Sequence, residues 1–118
     1  MKYKLLVLDV DGTLLNSEKA ITARTQAALL KVQQMGIHIV LASGSPTNGV
    51  MPLATALELD QYGGFILSYN GGQIINVQTG ELLIEKRINP EMLPYLDKKA
   101  KKNDFAIFTY HKDYILTN

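Results

Sequence analysis

The sequence predicts an α/β protein built on a parallel sheet, and three observations predict it. An apolar run, Leu5-Leu6-Val7-Leu8, stops at two carboxylates one residue apart, Asp9 and Asp11, followed by Gly12. Helical periodicity then runs from residue 22 to residue 35, and a second apolar run fills 37–42. Strand, helix and strand in that order make a βαβ unit, whose crossover is expected to be right-handed.

Four consecutive large apolar residues read as a strand buried on both faces. Asp9 then stands at its carboxyl end, where open α/β sheets place their ligands. Two positions apart, Asp9 and Asp11 would share one face of an extended segment. Gly12 allows a sharp turn that brings backbone N–H groups toward whatever the carboxylates hold. The same residues admit other readings. Asp11-Gly12 behind an apolar strand is a hairpin signal, with Leu14-Leu15 starting a returning strand. A calcium loop of EF-hand type needs its Gly at the sixth position, whereas Gly12 is fourth counting from Asp9.

After a loop at Asn16–Lys19, Thr22 suits the N-cap of a helix reaching about Met35. Ile21, Thr25, Ala28, Leu29, Val32 and Met35 would lay one stripe on the sheet, and Gly36 suits C′. Ile37–Ala42 is the second strand and ends in Ser43-Gly44-Ser45-Pro46. A hydroxyl beside a glycine amide can hydrogen-bond a phosphoryl group as charge moves onto its oxygens. Taken alone, the tetrapeptide is equally a turn.

Thr47–Leu59 reads as a helix with Gly49 and Pro52 near its start, followed by Gly63-Gly64 and a third strand, Phe65–Ser68. Asn70-Gly71 signals a hairpin into Gln73–Asn76, and a turn at Gln78-Thr79-Gly80 returns through Leu82–Lys86. Ile88-Asn89-Pro90 marks a boundary, giving domains 1–88 and 89–118. The second begins with a helix from Pro90 to about Lys102 carrying Met92, Leu93, Leu96 and Ala100 on one stripe. Phe105–Thr109 and Tyr114–Leu116 follow as a hairpin turning at His111-Lys112-Asp113.

Composition narrows the function. A net charge of +1 gives no reason to invoke nucleic acid or an anionic membrane. With no cysteine there is no disulfide frame, as suits a reducing cytoplasm. The first apolar run is too short to span a membrane. His38 and His111 have no partner pattern for metal or acid–base work.

Asp9-Val10-Asp11-Gly12-Thr13-Leu14 resembles the first motif, DxDGT, of the haloacid dehalogenase (HAD) superfamily of phosphohydrolases. Leu15-Asn16-Ser17 and Ser68-Tyr69-Asn70-Gly71-Gly72 resemble its Cof-type branch, subclass IIB, most of which dephosphorylates sugar phosphates and similar metabolites. The resemblance implies a Rossmann-like core whose N-terminal half is residues 1–88, hairpin included. Residues 89–118 would begin an α+β cap of the C2 type. It implies Mg²⁺, with Asp9 as nucleophile and metal ligand, and Asp11 as acid, then base, and as a second metal ligand through its backbone carbonyl. Thr13 would support the loop. Ser43 and Gly44 would bind the transferring phosphoryl group, and Asn70 would serve the turn first and the substrate side second.

One departure stands out, because Ser45 occupies a position where Cof-type proteins commonly carry Arg. The resemblance implies a Lys and a further acidic motif downstream of the cap, and neither can be placed in a sequence that ends at Asn118. The expectation is therefore a truncated chain, a proteolytic remnant or one part of a larger assembly, inactive by itself and free to self-associate through an open sheet edge. Two other classes compete. One is a non-catalytic phosphate- or metal-binding module. The other is a receiver domain, which needs an Asp after the third strand where this sequence has Ser68-Tyr69-Asn70.

Overall fold

The computed structural model describes residues 2–118. The chain divides into two compact units, Met1–Lys86 and Arg87–Asn118. The sequence had put this boundary two residues later.

The first unit is a five-stranded sheet in the order β1-β2-β3-β4-β5. Its strands are β1 (Leu5–Asp9), β2 (His38–Ala42), β3 (Phe65–Ser68), β4 (Gln73–Asn76) and β5 (Leu82–Glu85). The first three are parallel, with Asp9 opposite Ala42 and Ala42 opposite Leu67. The last two return antiparallel. Helix α1 (Ala23–Gln34) links β1 to β2, while α2 (Thr47–Ala56) and α3 (Leu59–Tyr62) link β2 to β3. The hairpin reading of Asp11-Gly12 is thereby excluded, because β1 pairs in parallel with a strand beyond α1.

Local chemistry sets the helix ends. Thr22 Oγ1 accepts from the Thr25 N–H at 3.2 Å, satisfying one orphan donor of α1. Gly36 closes the helix at φ +85°, a region that glycine occupies without steric cost. The inward face of α1 differs from the expected stripe. Ala28 and Met35 are exposed, while Gln33 is buried. Gln26 Nε2 donates to Ala56 O at 2.8 Å and Gln33 Nε2 to Leu57 O at 2.7 Å. These two amides supply the donors that the last carbonyls of α2 lack within their own helix.

The expected single helix over 47–59 is two. Glu58 takes φ +56° and breaks it, and α3 starts afresh at Leu59. The break turns both Leu57 and Leu59 into the core. That core joins Leu29, Val50, Ala54, Leu57 and Leu59 to Ile39, Leu41 and Ile66, with Leu6 and Leu8 packed against it.

All of those strand residues share one sheet face by register, so the crossover helices lie on one side. This corrects the first strand's expected burial on both faces. β1 is an edge, and Leu5 and Val7, which alternate with the packed Leu6 and Leu8, stay 55% and 59% exposed. β5 is the opposite edge and leaves Leu82, Leu83 and Ile84 exposed as well.

The second unit holds a 3₁₀ turn (Pro90–Met92), helix α4 (Leu93–Lys102) and an antiparallel pair, β6 (Phe108–His111) with β7 (Tyr114–Thr117). The helix starts three residues later than expected. Pro94 has no N–H to offer Pro90 O, and Leu93 N–H takes that carbonyl in a tighter turn. Met92 and Leu93 are consequently exposed, and Ala100 is the buried member of the stripe. β6 is shifted toward its turn because Ile107 N–H is drawn to Asn118 Oδ1 at 3.1 Å. No helix among the described residues is long and apolar enough to cross a membrane.

Candidate active site

The carboxyl ends of β1, β2 and β3 lie on one sheet edge, and three short segments leave from it. From β1 the chain enters a turn, Val10–Leu14, closed by Leu15 N–H to Val10 O at 3.0 Å. Val10 and Leu14 point into the core and anchor the turn. Asp9, just ahead of Val10, is exposed, as are Asp11 and Thr13. Gly12 sits at φ +73°, the reversal that the sequence required of it. Thr13 Oγ1 donates to Asp9 Oδ2 at 3.2 Å and fixes that carboxylate across the turn.

From β2 comes Ser43, 7% exposed, then Gly44, Ser45 and Pro46. Ser43 N–H continues the ladder to Leu67 O at 2.9 Å, and Ser43 O accepts from Asn70 N–H at 3.1 Å. Ser43 Oγ accepts from Ser45 N–H at 3.0 Å. That contact uses a lone pair and leaves the hydroxyl proton for an incoming acceptor.

From β3 comes the loop 69–72, in which Tyr69, Asn70 and Gly71 all have positive φ. The hairpin is therefore closed by four residues between Ser68 and Gln73, not by Asn70-Gly71 alone. The loop is gripped from below, since Tyr69 N–H donates to Ser45 O at 3.0 Å. Asn70 lies against Gly44 so closely that a Cβ on Gly44 would stand 3.0 Å from Asn70 Oδ1. A side chain at 44 would thus displace the amide.

The six residues singled out from the sequence fall into two sets on this edge. Asp9, Asp11 and Thr13 share the first turn, while Ser43, Gly44 and Asn70 touch one another at the second. The sequence missed Ser45 N–H and Tyr69 N–H as the groups that hold Ser43 and the β2–α2 turn. The Ser-Gly-Ser spacing carried the first signal, and nothing local carried the second. Asp9 and Asp11 offer only oxygen and could hold a hard divalent cation. Among the described residues, no group of three or more His, Cys, Asp or Glu side chains is arranged to bind a metal.

Comparison with known proteins places the fold and the motifs together. The family model of haloacid dehalogenase-like hydrolases matches residues 6–118. A solved haloacid dehalogenase-like hydrolase from Bacteroides thetaiotaomicron superposes with a TM-score of 0.88 at 49% identity, covering 98% of this chain and 44% of that one. M6_Spy0533 of Streptococcus pyogenes is 36% identical over 86 residues, covering 73% of this chain and 32% of that protein. The Bacillus subtilis protein 5-amino-6-(5-phospho-D-ribitylamino)uracil phosphatase YcsE is 32% identical over 71 residues, 60% of this chain and 27% of that protein. The chain thus spans about a third of the length of the curated relatives it matches. It belongs to the haloacid dehalogenase-like hydrolases, with the α/β fold of that family.

Proposed function

We propose that this chain carries the nucleophile of a Cof-type, Mg²⁺-dependent phosphohydrolase acting on small phosphorylated metabolites, sugar phosphates among them. The observation that carries the reading is the arrangement of Asp9 and Asp11 on the same sheet edge as the Ser43 hydroxyl. Similarity to a phosphatase of a ribityl phosphate supports a small, polyhydroxylated substrate.

In this reading Asp9 attacks phosphorus and forms an aspartyl phosphate, while the departing alcohol oxygen takes a proton from Asp11. Asp11, now ionised, takes a proton from the water that attacks the phosphoryl group, and Asp9 is released. Ser43 Oγ–H and Gly44 N–H would hold the phosphoryl oxygens, and Asn70 would keep Gly44 in place. Mg²⁺, held by Asp9 and Asp11, would neutralise the repulsion between carboxylate and phosphate. The Asp9 carboxylate and the Asp11 backbone carbonyl would hold the ion, leaving the Asp11 side chain free for proton transfer.

The Lys and acidic motif expected by resemblance are not among these residues, so the chain by itself is proposed to bind phosphate far better than it turns over. Titration calorimetry with orthophosphate should show binding that depends on Mg²⁺, beside little hydrolysis of p-nitrophenyl phosphate. Absence of phosphate binding in saturating Mg²⁺ would reject the reading. We place the protein in the cytoplasm, in keeping with its lack of cysteine.

The β1 edge supports a further proposal, self-association through its free main-chain groups and the exposed Leu5 and Val7. Sedimentation velocity should show concentration-dependent species, and Val7→Lys should shift the chain to monomer. A monomer at every concentration would dispose of it.

A further inference from the structure

A polar chain runs away from the candidate site at the same end of the sheet. Thr47, the first residue of α2, places Oγ1 2.6 Å from Ser68 Oγ and 2.9 Å from Gln73 Oε1. Gln73, the first residue of β4, places Nε2 3.0 Å from Glu85 Oε1 at the end of β5. Ser68, which ends β3, is fully buried, and Thr47 and Gln73 are half-buried.

The direction of every bond in this chain is fixed by its last member. An ionised carboxylate only accepts, so Gln73 must turn its NH₂ toward Glu85 and its oxygen toward Thr47. Thr47 then spends its single proton on Gln73. Ser68 is left as the donor to Thr47, which satisfies a hydroxyl with no access to water. The sense is Ser68 to Thr47 to Gln73 to Glu85, with no alternative while Glu85 is charged.

From these contacts we infer that Thr47 and Gln73 are positioning residues for the phosphoryl-binding turn. The turn Ser43–Pro46 runs from β2 to Thr47. The loop 69–72 grips it twice through the main chain, at Ser43 O and Ser45 O. Thr47 adds a side-chain hydrogen bond to these two main-chain grips, and a substitution can remove it without touching the main chain. Gln73 orients the Thr47 hydroxyl and Glu85 orients Gln73, so hairpin β4–β5 locks the point where the turn becomes helix. The function assigned here rests on the proposed role of Ser43 and Gly44, whereas the geometry does not.

Backbone amide exchange followed by NMR on the 118-residue chain tests the geometry without any ligand. Thr47→Val keeps the shape and deletes the hydroxyl, and Thr47→Ser keeps the hydroxyl. Relative to Ile39 and Ile66 in the central strands, Thr47→Val should raise exchange at Ser45, Tyr69 and Asn70 by about fivefold or more, the factor that one net hydrogen bond supplies. Thr47→Ser should leave those ratios near the parent's. Gln73→Met, which keeps the Ser68–Thr47 pair, should raise them in the same residues and serves if Thr47→Val does not fold. A rise shared equally by Ile39 and Ile66, or no rise at all, would overturn the inference by reducing the chain to general stability. Orthophosphate titration in Mg²⁺ separates the two levels. Local exchange that rises while phosphate affinity stays at the parent's value would overturn the positioning role. A parent that binds no phosphate would fault the proposed function and leave the exchange result to decide the geometry.

Discussion

Gly64→Ala is expected to destabilise the first unit by about 3 kcal/mol, a fall of roughly 15 °C in Tm for a domain of this size. The residue is not at a positive φ, so conformational freedom is not the reason. A Cβ there would collide with Leu59 Cγ, and it would stand 2.7 Å from Leu59 Cδ2 and 2.8 Å from Ile39 O. Neither neighbour can yield. Leu59 is fully buried, and its own carbonyl already accepts from Gly63 N–H and Gly64 N–H at 3.0 and 2.9 Å. Ile39 lies inside β2, held in register between β1 and β3. Gly63→Ala is the useful comparison. Gly63 has φ +77°, but a Cβ would meet the His38 ring at an ordinary 3.5 Å. Its cost should be nearer 1 kcal/mol. Urea denaturation of both variants checks the order, and equal midpoints would mean that α3 can slide away from β2.

Asp9→Asn is expected to lower the kcat for Mg²⁺-dependent p-nitrophenyl phosphate hydrolysis by about 10⁴-fold or more relative to an active parent. The substitution removes a negative charge and a nucleophile while retaining an acceptor for Thr13 Oγ1, now 3.2 Å from Asp9 Oδ2. Asp9 is exposed, so the melting temperature should stay within a few degrees of the parent's. Activity and folding are thereby separated. Affinity for Mg²⁺ should fall too, because the charged ligand is lost. An Asn variant with the turnover of an active parent would end the nucleophile assignment, and a chain extended to the family's length is the parent in which the fall is read.

Much of the architecture was readable because its causes are local. The strands 65–68 and 73–76 follow from apolar runs bounded by Gly63-Gly64 and the Asn70-Gly71 turn. Thr22 and Gly36 carry their own capping chemistry, and Asp9 ends an apolar run, which by itself puts a carboxylate at a strand terminus. What escaped depends on distant partners. Gln26 and Gln33 look like surface residues until the carbonyls of α2, 30 and 24 residues away, are found to need donors. The break at Glu58 arises because Leu57 and Leu59 both reach the core, which periodicity over one helix does not reveal. The exposure of Leu5 and Val7 depends on what lies beside a strand, and a run of apolar residues is silent on that. At the candidate site the hydroxyl and the carboxylates were legible, whereas the Tyr69 and Asn70 grips were not.

The two outer strands of the sheet have a consequence for assembly. β2 and β3 run parallel to β1, and two antiparallel steps return β5 to the same direction. Joining β5 of one molecule to β1 of the next therefore repeats a single translation-like operation that never closes on itself, and growth of that kind yields filaments. Joining β1 to β1 about a twofold axis stops at two copies. Light scattering that climbs without a plateau would identify the open-ended route, and Lys at position 7 or at position 83 should each cap it.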